Sequence, residues 1–168
     1  ILPEPGRLTI PVNVTVPAVA PEVAARLVLE SGAGTAKVKV GEPGQTMEDE
    51  EARLAAVRAA IGPEGKIRID VNAAWDLETA AMRLAAYARF DLEYVEQPVK
   101  TLEEMVELRR MTEVPLAADE LVRLRPDPLE VAAMGAADIL VVKVQPLGGV
   151  ARTLDIAARA GIPVVVSS

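Results

Sequence analysis

The chain has 168 residues, enough for one well-cored domain, and 51% of them are hydrophobic, which excludes a disordered polymer. Its formal net charge of −7 excludes the basic surface that broad nucleic-acid binding needs. Cys and His are both absent, which removes disulfides, thiolate chemistry, Ser-His triads and His-ligated zinc together.

Acid–base chemistry therefore falls to Lys, Asp, Glu or Tyr, and a metal site must be built from oxygen, which favours Mg²⁺, Mn²⁺ or Ca²⁺. No apolar run is long enough to span a bilayer, and "ILPEPGRLTI", with no charged start and no continuous apolar core, is not expected to be a signal peptide. A cytoplasmic protein without a membrane partner is expected. The chain does not begin with Met and is expected to be an excised piece.

Short apolar strands alternate with amphipathic helices from residue 12 onward. "VNVTV" (12–16) reads as a strand, and "PEVAARLVLESG" (21–32) as a helix opened by Pro21 and closed by Gly32. "AKVKV" (36–40) is the next strand, and Thr46 caps a helix over 47–62. "KIRIDVN" (66–72) leads to a helix over 76–90 with Asp76 as its N-cap. "LEYVEQP" (92–98) precedes a helix over 101–112, and "VPLAADE" (114–120) a shorter one over 127–135. "DILVVKV" (138–144), a helix over 149–160 and "IPVVVSS" (162–168) complete the series.

Seven strands and six helices in alternation imply a parallel sheet with right-handed crossovers. Alternation alone allows either a doubly wound sheet or a (β/α)₈ barrel. No Gly-rich phosphate turn follows the first strand, which speaks against dinucleotide binding.

Ionisable residues recur at one end of the strands: Lys39, Asp70, Glu96, Asp119 and Lys143, at intervals of 23 to 31 residues, about one β/α unit each. In a barrel such ends converge on one mouth. Side chains alternate across a strand, so Lys37 and Lys39 share a face opposite Ala36, Val38 and Val40. Likewise Arg68, Asp70 and Asn72 oppose Ile67, Ile69 and Val71. Three carboxylates in a dry mouth require compensation, and a divalent cation on Asp70, Glu96 and Asp119 supplies it. A lysine beside that cation becomes a usable base. Lys39 is the expected base, with Lys37 holding it and lowering its proton affinity by repulsion. The acidic run Glu48 to Glu51 reads as a solvated helix start. Trp75, Tyr87 and Phe90 read as packing, and Tyr94 as core or pocket wall. Gly148 and Gly149 turn the chain into a helix, with N–H groups free for an anionic substrate.

In this order and spacing, "KVK", "DVN", "EQP", "ADE" and "KVQPLGG" resemble the muconate-lactonizing subgroup of the enolase superfamily, which pairs a Lys or His base with Mg²⁺. Within it, "PVNVTVPAV", "TAKVKVGEPGQT" and "FDLEYVEQP" resemble the actinobacterial o-succinylbenzoate synthases of menaquinone biosynthesis. The resemblance implies a (β/α)₈ barrel with Mg²⁺, or alternatively Mn²⁺, on Asp70, Glu96 and Asp119. It implies Lys39 as acid–base catalyst and Lys143 on the opposite face of a small carboxylate substrate. Asn72 and Glu120 would support the ligands, and Ser167 and Ser168 would lie near the substrate carboxylate. The implied reaction is a syn-dehydration through a metal-stabilised enediolate. The same pair of lysines also suits an N-acylamino acid racemase, a dipeptide epimerase or a cycloisomerase, and a catalytically silent fragment is a further alternative. Family members carry a capping domain and more β/α units, and a barrel typically needs about 250 residues. Residues 1–168 are therefore expected to be a truncated barrel domain lacking both. No oligomeric state is implied.

Overall fold

A computed structural model of the chain describes residues 9–167. Seven strands form one parallel sheet in the order β1-β2-β3-β4-β5-β6-β7. They are β1 (Val14–Val16), β2 (Thr35–Lys39), β3 (Lys66–Asp70), β4 (Leu92–Glu96), β5 (Leu116–Ala118), β6 (Ile139–Lys143) and β7 (Val164–Ser167). Strictly consecutive order leaves no point where the winding reverses, so the doubly wound alternative is excluded and the sheet is part of a barrel.

Between the strands run α1 (Pro21–Ser31), α2 (Met47–Ile61), α3 (Leu77–Tyr87), α4 (Leu102–Leu108), α5 (Glu120–Leu124), α6 (Glu130–Ala133) and α7 (Val150–Arg159), with a 3₁₀ turn at Ala88–Phe90. The local chemistry explains most boundaries. Pro21 opens α1 and Gly32, at φ 64°, closes it in the left-handed region. Thr46 and Asp49 form a reciprocal capping box on α2, and Thr101 and Glu104 form another on α4. Asp76 caps α3 by accepting from Thr79 N at 2.8 Å.

The described residues hold seven α-helices where six were expected. The expected helix over 127–135 shrinks to α6, and α5 forms separately ahead of it, because Pro126 and Pro128 bar one continuous helix. The expected helix over 101–112 ends at Leu108, where the backbone tightens into Arg110 N→Glu107 O and Met111 N→Leu108 O bonds. Strand β4 stops at Glu96 because Gln97 takes φ 41°, and β3 stops at Asp70 just before Asn72 and Ala73 at φ 51° and 59°.

Two apolar layers result. The larger lies between sheet and helices and includes Ala36, Val38, Ile67, Ile69, Leu54, Leu84, Tyr87, Trp75 and Phe90. Each fully buried Ile or Leu there contributes about 1.5–3 kcal/mol. The smaller lies inside the curve of the sheet, where Tyr94, Ala117 and Val141 pack with Ile139 and Val165. Tyr94 is thus interior core, and burial pushes its phenol up to about 12. Among the described residues no helix is long and apolar enough to cross a membrane.

Candidate active site

Parallel register carries Lys39, Asp70 and Glu96 into one row at the carboxyl end of the sheet. Lys39 pairs with Asp70, Asp70 with Glu96 and Glu96 with Ala117, while Lys143 pairs with Ser167. Asp119 stands two residues beyond Ala117 on the same face. The interior face therefore runs from the Tyr94 layer below to a ring of charge above.

All three carboxylates are buried: Asp70 and Asp119 are 2% exposed and Glu96 1%. Lysines neutralise them. Lys37 Nζ lies 2.7 Å from Glu96 Oε1 and 2.9 Å from Asp70 Oδ2, and Lys39 Nζ lies 2.7 Å from that same Asp70 oxygen. Lys39 also donates to Asn72 Oδ1, and Asn72 Nδ2 donates to Glu120 Oε1 at 3.3 Å. Lys143 Nζ donates to Asp119 Oδ2 at 2.8 Å. Three ammonium groups thus balance three carboxylates, as burial of charge requires.

Burial works against the Lys37 cation, but the adjacent charges and hydrogen bonds of Glu96 and Asp70 prevail and hold its pKa above the usual lysine value. Burial, and then the nearby charges of Asp70 and Asp119, push the Glu96 carboxyl up against the pull of Lys37. The expected repulsion of Lys39 by Lys37 therefore meets the Asp70 carboxylate that bridges both ammonium groups. Lys39 is oriented by Asp70 and Asn72.

The expected metal ligands are together but turned towards lysines, and no three carboxylates among the described residues form a ready-made metal cluster. Two features fit a hard divalent cation nonetheless. The donor set is all oxygen. Asp119 Oδ1 and Glu120 Oε2 are buried without a hydrogen-bond partner. Such orphaned acceptors are costly unless something completes them.

Other expectations need correction. Gly148 and Gly149 do not offer free N–H groups: Gly148 N donates to Gln145 O at 3.1 Å and Gly149 N to Val144 O at 2.8 Å, closing their own turn at φ 92° and 108°. Ser167 stands at the level of Lys143, and Ser168 lies outside the described residues. The acidic run is not wholly solvated either. Glu50 is fully buried, accepting from Gly41 N at 2.6 Å and Tyr87 Oη at 2.5 Å and pairing with Arg83. Gly41 itself, at φ 76°, passes so close to Val71, Ala74 and Trp75 that a side chain would crowd them.

Sequence reasoning missed Arg53 and Gln97. Arg53, 2% exposed, donates to Val19 O at 2.8 Å, to Lys39 O at 3.1 Å and to Gln45, so it grips the backbone of the expected base. A helical Arg only three residues after a buried Glu gave no sign of burial. Gln97 follows the strand-end Glu96 in "EQP", and nothing in that triplet marks its side chain as buried.

Residues 20–167 match the family described as enolase C-terminal domain-like. The o-succinylbenzoate synthase of Thermobifida fusca (strain YX) is 57% identical over 166 residues, covering 99% of this chain and 52% of that protein. That of Mycolicibacterium smegmatis is 51% identical over 173 residues, again covering 99% and 52%. The chain thus spans about half the length of these relatives. Among solved structures, a mandelate racemase/muconate lactonizing family protein from Azoarcus sp. EbN1 superposes with a TM-score of 0.84 at 31% identity, covering 94% of this chain and 44% of that one. A dipeptide epimerase from Enterococcus faecalis V583, complexed with Mg and L-Leu-L-Tyr, gives 0.81 at 30% identity, covering 94% and 46%. With its consecutive parallel strands and 148 matched residues out of 168, from 20 to 167, the chain belongs to the enolase C-terminal domain-like family.

Proposed function

We propose that this chain carries the catalytic residues of a Mg²⁺-dependent o-succinylbenzoate synthase, a carbon–oxygen lyase of menaquinone biosynthesis. One observation carries the reading: three buried carboxylates at the carboxyl ends of successive strands, flanked on β2 and β6 by lysines that reach them. The 50–57% identity to synthases supports the choice of reaction.

Asp70, Glu96 and Asp119 would hold the Mg²⁺, with Mn²⁺ as the alternative. The bound ion supplies Lewis acidity towards a carboxylate-bearing substrate. Lys39, released from Asp70 once that carboxylate turns elsewhere, first gives its own proton to water and then takes the α-proton through the neutral amine. The resulting ammonium then gives a proton to the departing β-hydroxyl on the same face, so that one water leaves and Lys39 is regenerated. Lys143 stays protonated and balances negative charge from the opposite side. Asn72 sets the direction of the Lys39 amine, and the Tyr94 layer closes the floor to water.

The flanking lysines also support a second reading, racemisation or epimerisation, in which one lysine removes the α-proton and the other returns a proton to the opposite face. The 30% identity to a dipeptide epimerase favours keeping it. Turnover of the hydroxycyclohexadiene carboxylate precursor, run beside α-proton exchange on N-succinylamino acids, separates the two. Lys39→Ala should lower dehydration by about 10²–10⁴-fold while calorimetry shows nearly unchanged Mg²⁺ affinity. Full turnover in that variant would remove the assignment.

A further inference from the structure

Gln97 takes no part in the chemistry above, yet it is tightly held beside the site. It is fully buried, and its backbone sits at φ 41°, where residues with a side chain are seldom found. Such strain persists only where surrounding contacts hold it. Here every polar group of the residue is bonded.

Its backbone N–H donates to Ala117 O at 2.8 Å, and its carbonyl accepts from Ala73 N at 2.7 Å. Its side-chain Oε1 accepts from Asp119 N at 3.1 Å and from Leu121 N at 3.2 Å. Its Nε2 donates to Val99 O at 2.8 Å. Ala73 belongs to the loop that leaves Asp70, Glu96 is the preceding residue, and Asp119 is held through its own amide. One side chain and its peptide therefore tie together the turns that follow β3, β4 and β5, next to the three carboxylates.

Side-chain bonds to the Asp119 and Leu121 amides do more than satisfy donors. They set the direction in which the chain leaves β5, and so where the Asp119 carboxylate points. We propose that Gln97 is a positioning residue that fixes the mutual spacing of Asp70, Glu96 and Asp119. This rests on the metal-binding reading of those carboxylates, since a fixed spacing matters most where three groups share one ion. Partners that orient metal ligands in this way change affinity without touching the metal.

The test is Gln97→Met, which keeps length and apolar bulk but lacks the acceptor for the two amides. In a variant that retains the parent's circular dichroism and cooperative unfolding, Mg²⁺ affinity by calorimetry should weaken by about 10- to 100-fold. A second readout needs no metal. Lys143 is held by Asp119, so its reductive methylation in metal-free protein should quicken severalfold, while Lys66, at the far end of β3, reacts as in the parent. Should Gln97→Met not fold, Gln97→Asn, one methylene short of the amides, is measured in the same way with the same direction expected. If the parent chain binds no Mg²⁺, the functional reading fails and the Lys143 rate alone judges Gln97. A folded variant whose Lys143 rate equals the parent's overturns the inference, as does unchanged Mg²⁺ affinity where the parent binds the ion.

Discussion

Asp138 joins three elements through one carboxyl group. Its Oδ2 accepts from Leu116 N at 2.9 Å, and its Oδ1 accepts from Arg109 Nε at 2.9 Å and from a terminal nitrogen of Arg109 at 2.6 Å. Burial tends to raise its pKa, but the Arg109 and Leu116 hydrogen bonds prevail and hold it below the ordinary value of 3.8. The folded state therefore binds this proton less readily than the unfolded state. The stabilisation is present above pH 3.8 and is lost as pH falls through the lower, folded value. Asp138→Asn should cost about 1 kcal/mol at pH 7, a partly exposed pair being screened, and the gap from the parent should close as pH falls below that value. Thermal melts of both proteins across pH 2 to 7 would measure it, and a gap that stays constant would refute the linkage.

At the scale of elements, α2 acts as a bracket beneath the site. Glu50 reaches forward to Gly41 N and inward to Tyr87 and Arg83 on α3, while Arg53 holds the carbonyls of Val19 and Lys39. Burial, with Glu50 alongside, raises the Tyr87 phenol far enough that it remains a donor. Removing one member of a buried ion pair is more harmful than removing both, because the remaining charge has lost its partner. Arg83→Met should cost about 3 kcal/mol in urea unfolding, and adding Glu50→Gln should recover part of that loss. If the double variant is simply the sum of the singles, the pair is not coupled.

Across the molecule, the three carboxylates belong to three successive β/α units, so an ion shared among them would tie those units together. Binding to the folded state alone should stabilise it by about 2.7 kcal/mol at 100-fold excess over the dissociation constant, a rise of about 5–10 °C in Tm. Asp119→Ala should abolish that rise. An equal rise in that variant would place the ion elsewhere.

The sequence alone determined the alternation of elements, because strand and helix periods are local properties of neighbouring residues. It also sufficed to bring Lys39, Asp70, Glu96, Asp119 and Lys143 to the carboxyl ends of successive strands, with Lys37 on the same face as Lys39, since a repeat of one β/α unit and a period of two settle these placements. Alternation by itself did not separate a barrel from a doubly wound sheet, because strand order is a matter of pairing between distant segments; only the resemblance of the motifs pointed to the barrel. Nor did the sequence show that α5 forms, that Glu50 and Arg53 are buried, or that Gln97 binds Asp119 and Ala73. Those facts depend on which distant backbone groups are brought within hydrogen-bond reach, and only the folded sheet decides that.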